Sequence, residues 1–199
     1  APNEMSDHAA RACKAALEMQ KKIAYLQETF RTCGCPSELY ARTGISTGEM
    51  VVGNMGSEKR MNYTAMGDTM NLGARIESIN KFYKTRILIS NATAERVQND
   101  YVLRKIDCVK VKGRSSPEAI FELIRSKEEA NAEESFRIES YHKAFELYQN
   151  RKWEEAEKNF SELARIGDEP ASVMARRCAE YKLNPPPYNW DGAFVMTTK

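Results

Sequence analysis

Apolar residues recur at helical spacing over Ser6–Phe30: Ala9, Cys13, Ala16, Leu17, Ile23, Leu26 and Phe30 fall on one side, and Arg11, Lys14, Lys21 and Lys22 on the other. The spacing predicts a helix capped by Ser6 or Asp7, closed by the turn-rich linker 32–37. The period then drops to two. Leu39, Ala41, Thr43 and Ile45 alternate over Leu39–Ser46, Thr47-Gly48-Glu49 is a hairpin signal, and Met50–Val52 reads as the second strand. Residues 53–57, GNMGS, lack the G-K-[S/T] of a phosphate loop and read as a flexible connection. Met61–Met66 reads as a strand and Asp68–Phe82 as a helix with Leu72, Ile76, Ile79 and Phe82 or Tyr83 on its apolar side. Gly73 and Ala74 keep that helix slim enough for a ligand or a second chain to approach. Arg86–Ser90, RILIS, is a compact buried strand, and Asn91–Asn99 a short helix. Tyr101–Asp107, Val109–Val111 and Ala119–Ile124 read as closing strands, with a basic turn, 112–117, between the last two. Helices mixed with antiparallel hairpins make the class α+β.

At Arg125 the pattern changes. A charged linker, Ser126–Glu134, leads into helices over Ser135–Asn150 and Lys152–Ile166, and a third over Pro170–Lys182 that Asn184-Pro185-Pro186-Pro187 stops. Tyr148, Trp153, Ala156 and Phe160 have the spacing of one tetratricopeptide unit, in which aromatic and small residues interlock across a helix pair. Residues 188–199 read as an extended tail that packs on the body, the alternative being a docking arm for a neighbouring chain. The expected division is therefore 1–125 and 126–199.

Composition removes several classes of function. The chain has 199 residues and a formal net charge of +2. That leaves no cationic excess for nucleic acid, and only local clusters such as Lys110–Arg114 remain as phosphate contacts. There is no run of about 18 apolar residues and no signal-peptide pattern. The opening Ala1-Pro2-Asn3-Glu4 reads as the interior of a longer chain. Five cysteines, with no second pair or histidine cluster at zinc spacing, read as reduced thiols in a cytoplasmic setting. His8 and His142 are isolated and are given no metal.

The candidate chemistry lies on the helix that begins at Asp68. Asn71 and Arg75 are four residues apart and share one face. An amide both donates and accepts, and a guanidinium is a planar, permanent cation suited to phosphate. Asp68 is the expected N-cap, which puts Asn71 in the first turn, where free N–H groups and the helix dipole favour anions. Spacing alone leaves open a solvated polar pair.

Order and context decide further. RTGISTGEMVVGNMGSEKRMNYTAMGDTMNLGARIE (Arg42–Glu77), followed by Ile87–Ser90 and Val111-Lys112-Gly113, resembles the catalytic domain of class III nucleotidyl cyclases. The Gly-x-x-x-Gly strand pair, Tyr-Thr-x-x-Gly-Asp and Asn-x-x-x-Arg stand in the family's order. The match covers its C-terminal two-thirds, and the helical tail resembles an extension found on bacterial members. The resemblance implies a ferredoxin-like core, here lacking its N-terminal part, followed by a small all-α, tetratricopeptide-like extension. It implies conversion of ATP to 3′,5′-cyclic AMP and pyrophosphate. Asn71 then orients the ribose, Arg75 stabilises charge on the α-phosphate, Lys112 and its neighbour Arg114 meet the β- and γ-phosphates, and Thr64, seven positions before Asn71, contacts the base. Thr in this place, as in a subgroup that includes bicarbonate-responsive members, favours adenine over guanine.

The family's two metal-binding aspartates, the first in an F-x-D-x-x-G-F stretch, have no counterpart here. Mg²⁺ or Mn²⁺ is expected on ligands upstream of this chain. Family sites form between two catalytic domains, so the resemblance implies a homodimer to which this chain brings the ribose and phosphate half-site, and inactivity when it is alone. The membrane is expected to be reached only through upstream segments. The alternatives are a guanylate cyclase and a non-catalytic regulatory or tetratricopeptide-like docking module.

Overall fold

A short run that is apolar on both faces belongs in the middle of a sheet, and Ile87–Ser90 fills that place with all four residues buried. The computed structural model describes residues 4–34, 38–58, 60–111 and 116–196. The order is α1 (His8–Thr32), β1 (Thr43–Ile45), β2 (Val51–Ser57), β3 (Arg60–Met66), α2 (Asp68–Tyr83), β4 (Ile87–Ser90), α3 (Asn91–Val97), β5 (Tyr101–Lys110), β6 (Glu118–Ser126), α4 (Ala132–Gln149), α5 (Trp153–Arg165), α6 (Glu169–Leu183) and β7 (Phe194–Val195). A mixed sheet of order β1-β4-β6-β5-β7 forms the centre, and β2 and β3 make a separate antiparallel ribbon. The class is α+β, with a C-terminal helical bundle on the sheet.

Alternation along the strands divides the core in two. Leu88, Ile106 and Ile120 point to one side, where they meet Leu72, Ile76, Ile79 and Tyr83 of α2 and continue into Tyr141, Phe145, Tyr148, Phe160 and Met174 of α4–α6. Ile87, Ile89 and Leu123 point to the other, against Ala9, Cys13 and Ala16 of α1 and Ala94 and Val97 of α3.

Four expectations are corrected. First, only Thr43–Ile45 of the run Leu39–Ser46 is a strand, and it pairs in parallel with β4, Gly44 opposite Leu88. The turn at 47–49 is therefore not a hairpin. Residues 53–57 are not a loop but the second half of β2, paired with β3 from Val51↔Met66 to Ser57↔Arg60. Second, the two strands expected over Tyr101–Asp107 and Val109–Val111 are one, β5, which ends at Lys110, with an irregularity at Lys105/Asp107 that lets Asp107 face inward. Third, the helix after β3 has Gly67, not Asp68, as its N-cap, without a side-chain cap bond. Fourth, the slim face of α2 is taken by the sheet itself. A Cβ on Gly44 would lie 2.3 Å from the Gly73 carbonyl oxygen and 2.4 Å from the Glu77 nitrogen.

The outer half of α1 also departs from its apolar stripe. Leu26 and Phe30 are exposed, because a 25-residue helix is about 37 Å long while strands of three and four residues beneath it span about 10–14 Å. The tail packs as expected. Phe194 and Val195 extend the sheet in parallel with Val109 and Lys110. Trp190 closes a cluster with Tyr148, Trp153 and Tyr181, ring centroids 5.2–5.9 Å apart.

Two charged networks are sealed between sheet and bundle. Arg104 of β5 gives Nη2 to Glu122 Oε2 at 2.6 Å and Nη1 to Asp168, whose other oxygen caps α6 by accepting from the Ala171 N–H at 3.0 Å. Arg177 of α6 reaches Asp107 of β5 and is 4% exposed. Burial opposes the Arg177 charge most strongly, but Asp107 together with Tyr83 and Tyr148 outweighs it and the pKa is raised.

Candidate active site

The site is built from the segment that joins the ribbon to the helix. β3 enters α2 through Gly67, whose φ of +151° closes a turn that side chains resist. The Asn71 N–H makes the first helical bond to the Gly67 carbonyl at 3.2 Å, and the Thr69 hydroxyl donates to the Glu49 carbonyl at 2.9 Å. The segment between β1 and β2 thus holds the N-terminus of α2 from outside. One turn on, Gly44 of β1 meets Gly73 and Glu77 at backbone contact.

With Leu72, Ile76 and Ile79 buried, the opposite face of α2 is open. Asn71 is exposed and Arg75 half-buried. Among the described residues neither side chain has a hydrogen-bond or ion-pair partner. Their polar groups therefore meet water or a ligand, next to the free N–H groups of the helix start. Thr64 is exposed on β3 opposite Gly53, and a Cβ placed on Gly53 meets nothing within 4 Å. The floor beside the Thr64 hydroxyl is clear of side chain. Lys112 and Arg114 lie outside the described residues. Val111, just before them, is buried in the core on the α2 side of the sheet.

Among the described residues no group of three or more His, Cys, Asp or Glu side chains is placed to hold a metal ion. An amide and a guanidinium do not make the oxygen-rich shell that Mg²⁺ or Mn²⁺ needs. The described residues therefore do not fit the cation. No helix among them is long and apolar enough to cross a membrane.

The profile of the adenylate and guanylate cyclase catalytic domain matches residues 1–124. The chain belongs to this family. Members of the class generally require a divalent metal for catalysis. Adenylate cyclase 1 of Rhizobium meliloti is 38% identical over 124 residues, 62% of this chain and 18% of the relative. The terminal-differentiation specific adenylate cyclase of Dictyostelium discoideum is 33% identical over 187 residues, 90% of this chain and 9% of the relative. The crystal structure of the guanylyl cyclase Cya2 is similar with a TM-score of 0.53 and 35% identity, covering 66% of this chain and 65% of that one. The chain spans less than a fifth of the length of these two curated relatives. The Dictyostelium match runs past the catalytic domain into the helical bundle.

Sequence reasoning missed the buried group at the far end of the cyclase helix. Tyr83, the last residue of α2, donates its hydroxyl to Asp107 and accepts from Arg177 Nη2 at 2.8 Å. A signal existed. Arg177 stands in register with Ala171, Met174 and Cys178, the buried stripe of α6, where a charge is out of place unless paired.

Proposed function

We propose that this chain supplies the ribose- and phosphate-stabilising half of a cyclase site that converts ATP to 3′,5′-cyclic AMP and pyrophosphate. One observation carries the reading. Among the described residues Asn71 and Arg75 have no partner, and they stand on the open face of a helix whose other face is locked into the core. In the reaction the ribose 3′-oxygen loses its proton and attacks the α-phosphorus in line. The bond from that phosphorus to the bridging oxygen breaks, and pyrophosphate leaves with the electron pair. Asn71 holds the ribose so that the 3′-oxygen approaches along that line, and Arg75 meets the charge that gathers on the α-phosphate oxygens. Thr64 reads the base edge over the clear floor at Gly53. Lys112 and Arg114 meet the β- and γ-phosphates. The metal-holding half comes from residues outside this chain, across a homodimer, and the 199-residue chain alone is inactive. The division at 125/126 into a catalytic part and a tetratricopeptide-like unit rests on the spacing of Tyr148, Trp153, Ala156 and Phe160; Tyr148, Ala156 and Phe160 are buried in one core with α2.

The test uses the natural full-length protein. Asn71→Ala and Arg75→Ala each lower turnover about 10²-fold, the loss typical of a missing transition-state donor. Wild-type rates in both would remove the assigned roles. Likeness to a guanylyl cyclase structure supports GTP as the second reading. Comparing kcat/KM for ATP and GTP decides it, and a strong GTP preference overturns the adenine assignment. Robust turnover of ATP with Mn²⁺ by the isolated chain would sink the half-site claim.

A further inference from the structure

One buried guanidinium of the extension reaches the end of the catalytic helix. Arg177 Nη1 reaches Asp107 Oδ2 and lies 3.4 Å from the Tyr148 hydroxyl, and Nη2 donates to the Tyr83 hydroxyl at 2.8 Å. Its plane covers the Phe194 ring, 3.6 Å from the centroid, and Phe194 stacks on Phe82 at 5.5 Å. Five elements meet here: α2, β5, α4, α6 and β7. Tyr83, Asp107 and Tyr148 are fully buried. An exposed ion pair, Lys84–Glu169 at 2.6 Å, joins the end of α2 to the start of α6.

Burying an ion pair brings little net stability compared with apolar residues of the same volume, while its geometry is specific. The specificity falls on α2. Near its middle the helix rests on Gly44 at Gly73 and Glu77. At its start it is held by the Glu49 carbonyl. Toward its end Asn80 Nδ2 donates to the Thr43 carbonyl of β1 at 3.0 Å, Lys84 pairs with Glu169, and the buried link to the extension is the Tyr83 hydroxyl between Asp107 and Arg177. From residue 75, the middle of the Gly44 contact, Tyr83 is about 12 Å away and Asn71 about 6 Å. A tilt that moves Tyr83 by about 1 Å moves Asn71 by about 0.5 Å the other way, and an Arg75 guanidinium about 6 Å off the axis by a similar amount. About 0.5 Å is the tolerance within which catalytic groups must be held.

We propose that Arg177 is a positioning residue of the cyclase reaction: through Asp107 and Tyr83 it fixes the tilt of α2 and so the placement of Asn71 and Arg75. The helical extension is then part of the catalytic apparatus. This rests on the roles proposed above for Asn71 and Arg75.

Two variants of the full-length protein test it. Tyr83→Phe deletes the hydroxyl and leaves Arg177 paired with Asp107. The double variant Arg177→Met with Asp107→Leu replaces the buried pair by apolar side chains and leaves neither charge unpaired, while the Arg104–Asp168 link still holds α6 to the sheet. Activity is normalised to folded protein, well below the melting temperature. The expected result is a fall in kcat of about threefold for the first and about tenfold for the second, with KM within about twofold, and faster hydrogen exchange of the α2 amides in both. A purely structural role lowers the melting temperature and leaves kcat per folded molecule at the wild-type value. That result, or unchanged α2 exchange in the double variant, overturns the proposal. Asn71→Ala in parallel separates the two readings. If it is silent, the site assignment fails, and with it the catalytic role of Arg177. If it is impaired while the clamp variants keep wild-type kcat, only the clamp fails.

Discussion

Gly44→Ala probes the closest approach in the catalytic fold. A methyl on Gly44 would sit 2.3 Å from the Gly73 oxygen, 2.4 Å from the Glu77 nitrogen and 2.9 Å from the Glu77 Cα. Ordinary contact begins near 3.4 Å, so α2 must withdraw from β1 by about 1 Å, and every obstacle is backbone, so no rotamer change relieves it. Moving a helix whose Ile76 and Tyr83 are fully buried puts the penalty at the upper end of overpacking, about 3 kcal/mol. For a chain of this size that is a fall of about 6–12 °C in melting temperature. The same withdrawal displaces Arg75, which lies between the two contact residues, so kcat falls with stability. Gly53→Ala is the control: its methyl meets nothing within 4 Å, and stability stays within about 0.5 kcal/mol. Urea unfolding followed by circular dichroism measures both. A Gly44→Ala protein within about 0.5 kcal/mol of wild type would refute the contact and the placement of α2 built on it.

Phe160→Ala empties a fully buried site edge-on to Tyr141 at 5.1 Å, and about 3–5 kcal/mol is lost in denaturant unfolding. Asp168→Ala removes the α6 cap and leaves the buried Arg104 with Glu122 as its remaining partner; the expected loss by the same measurement is about 3–5 kcal/mol, and Asp168→Asn, which keeps a capping oxygen, loses less. His142 accepts from the Lys105 N–H at 3.0 Å through Nε2, and burial, helped by Arg104 and Lys105, holds its pKa below the usual histidine value. The unfolded chain therefore binds the proton first as pH falls. The stability that neutral His142 contributes is present above about pH 6.5 and is lost below it. His142→Gln, which still accepts the bond, flattens the stability-versus-pH curve between about pH 7 and 5, and an unchanged slope would refute the assignment.

Elements with strong periodicity were legible. Ile87–Ser90 of the run RILIS is a buried strand, with Arg86 exposed before it, because apolar residues stand on both its faces, and the stripe Leu72-Ile76-Ile79 is the buried side of α2 because its period is helical. Asn71 and Arg75 were legible as a pair because i,i+4 spacing alone puts them on one face. Misreadings arose where a residue's partner is distant. Residues 53–57 look like a loop, since glycines and a serine carry no periodicity, yet β3 across the ribbon makes them a strand. Gly73 looked like room for a ligand, and the room is filled by Gly44, twenty-nine positions earlier.

By itself, then, the sequence determined what local physics controls: which segments are helices, which faces are apolar, and which two polar side chains share the open face of α2. Tertiary structure alone decided that β1 leaves its neighbour in sequence to pair with β4, that Asp107 turns inward, and that Arg177 closes on Asp107 and Tyr83. The reason is physical. A buried charge is tolerable only where its partner arrives, and that partner comes from another element 70 residues away along the chain. No periodicity in either segment encodes the meeting; only the packing of α6 on the sheet brings it about.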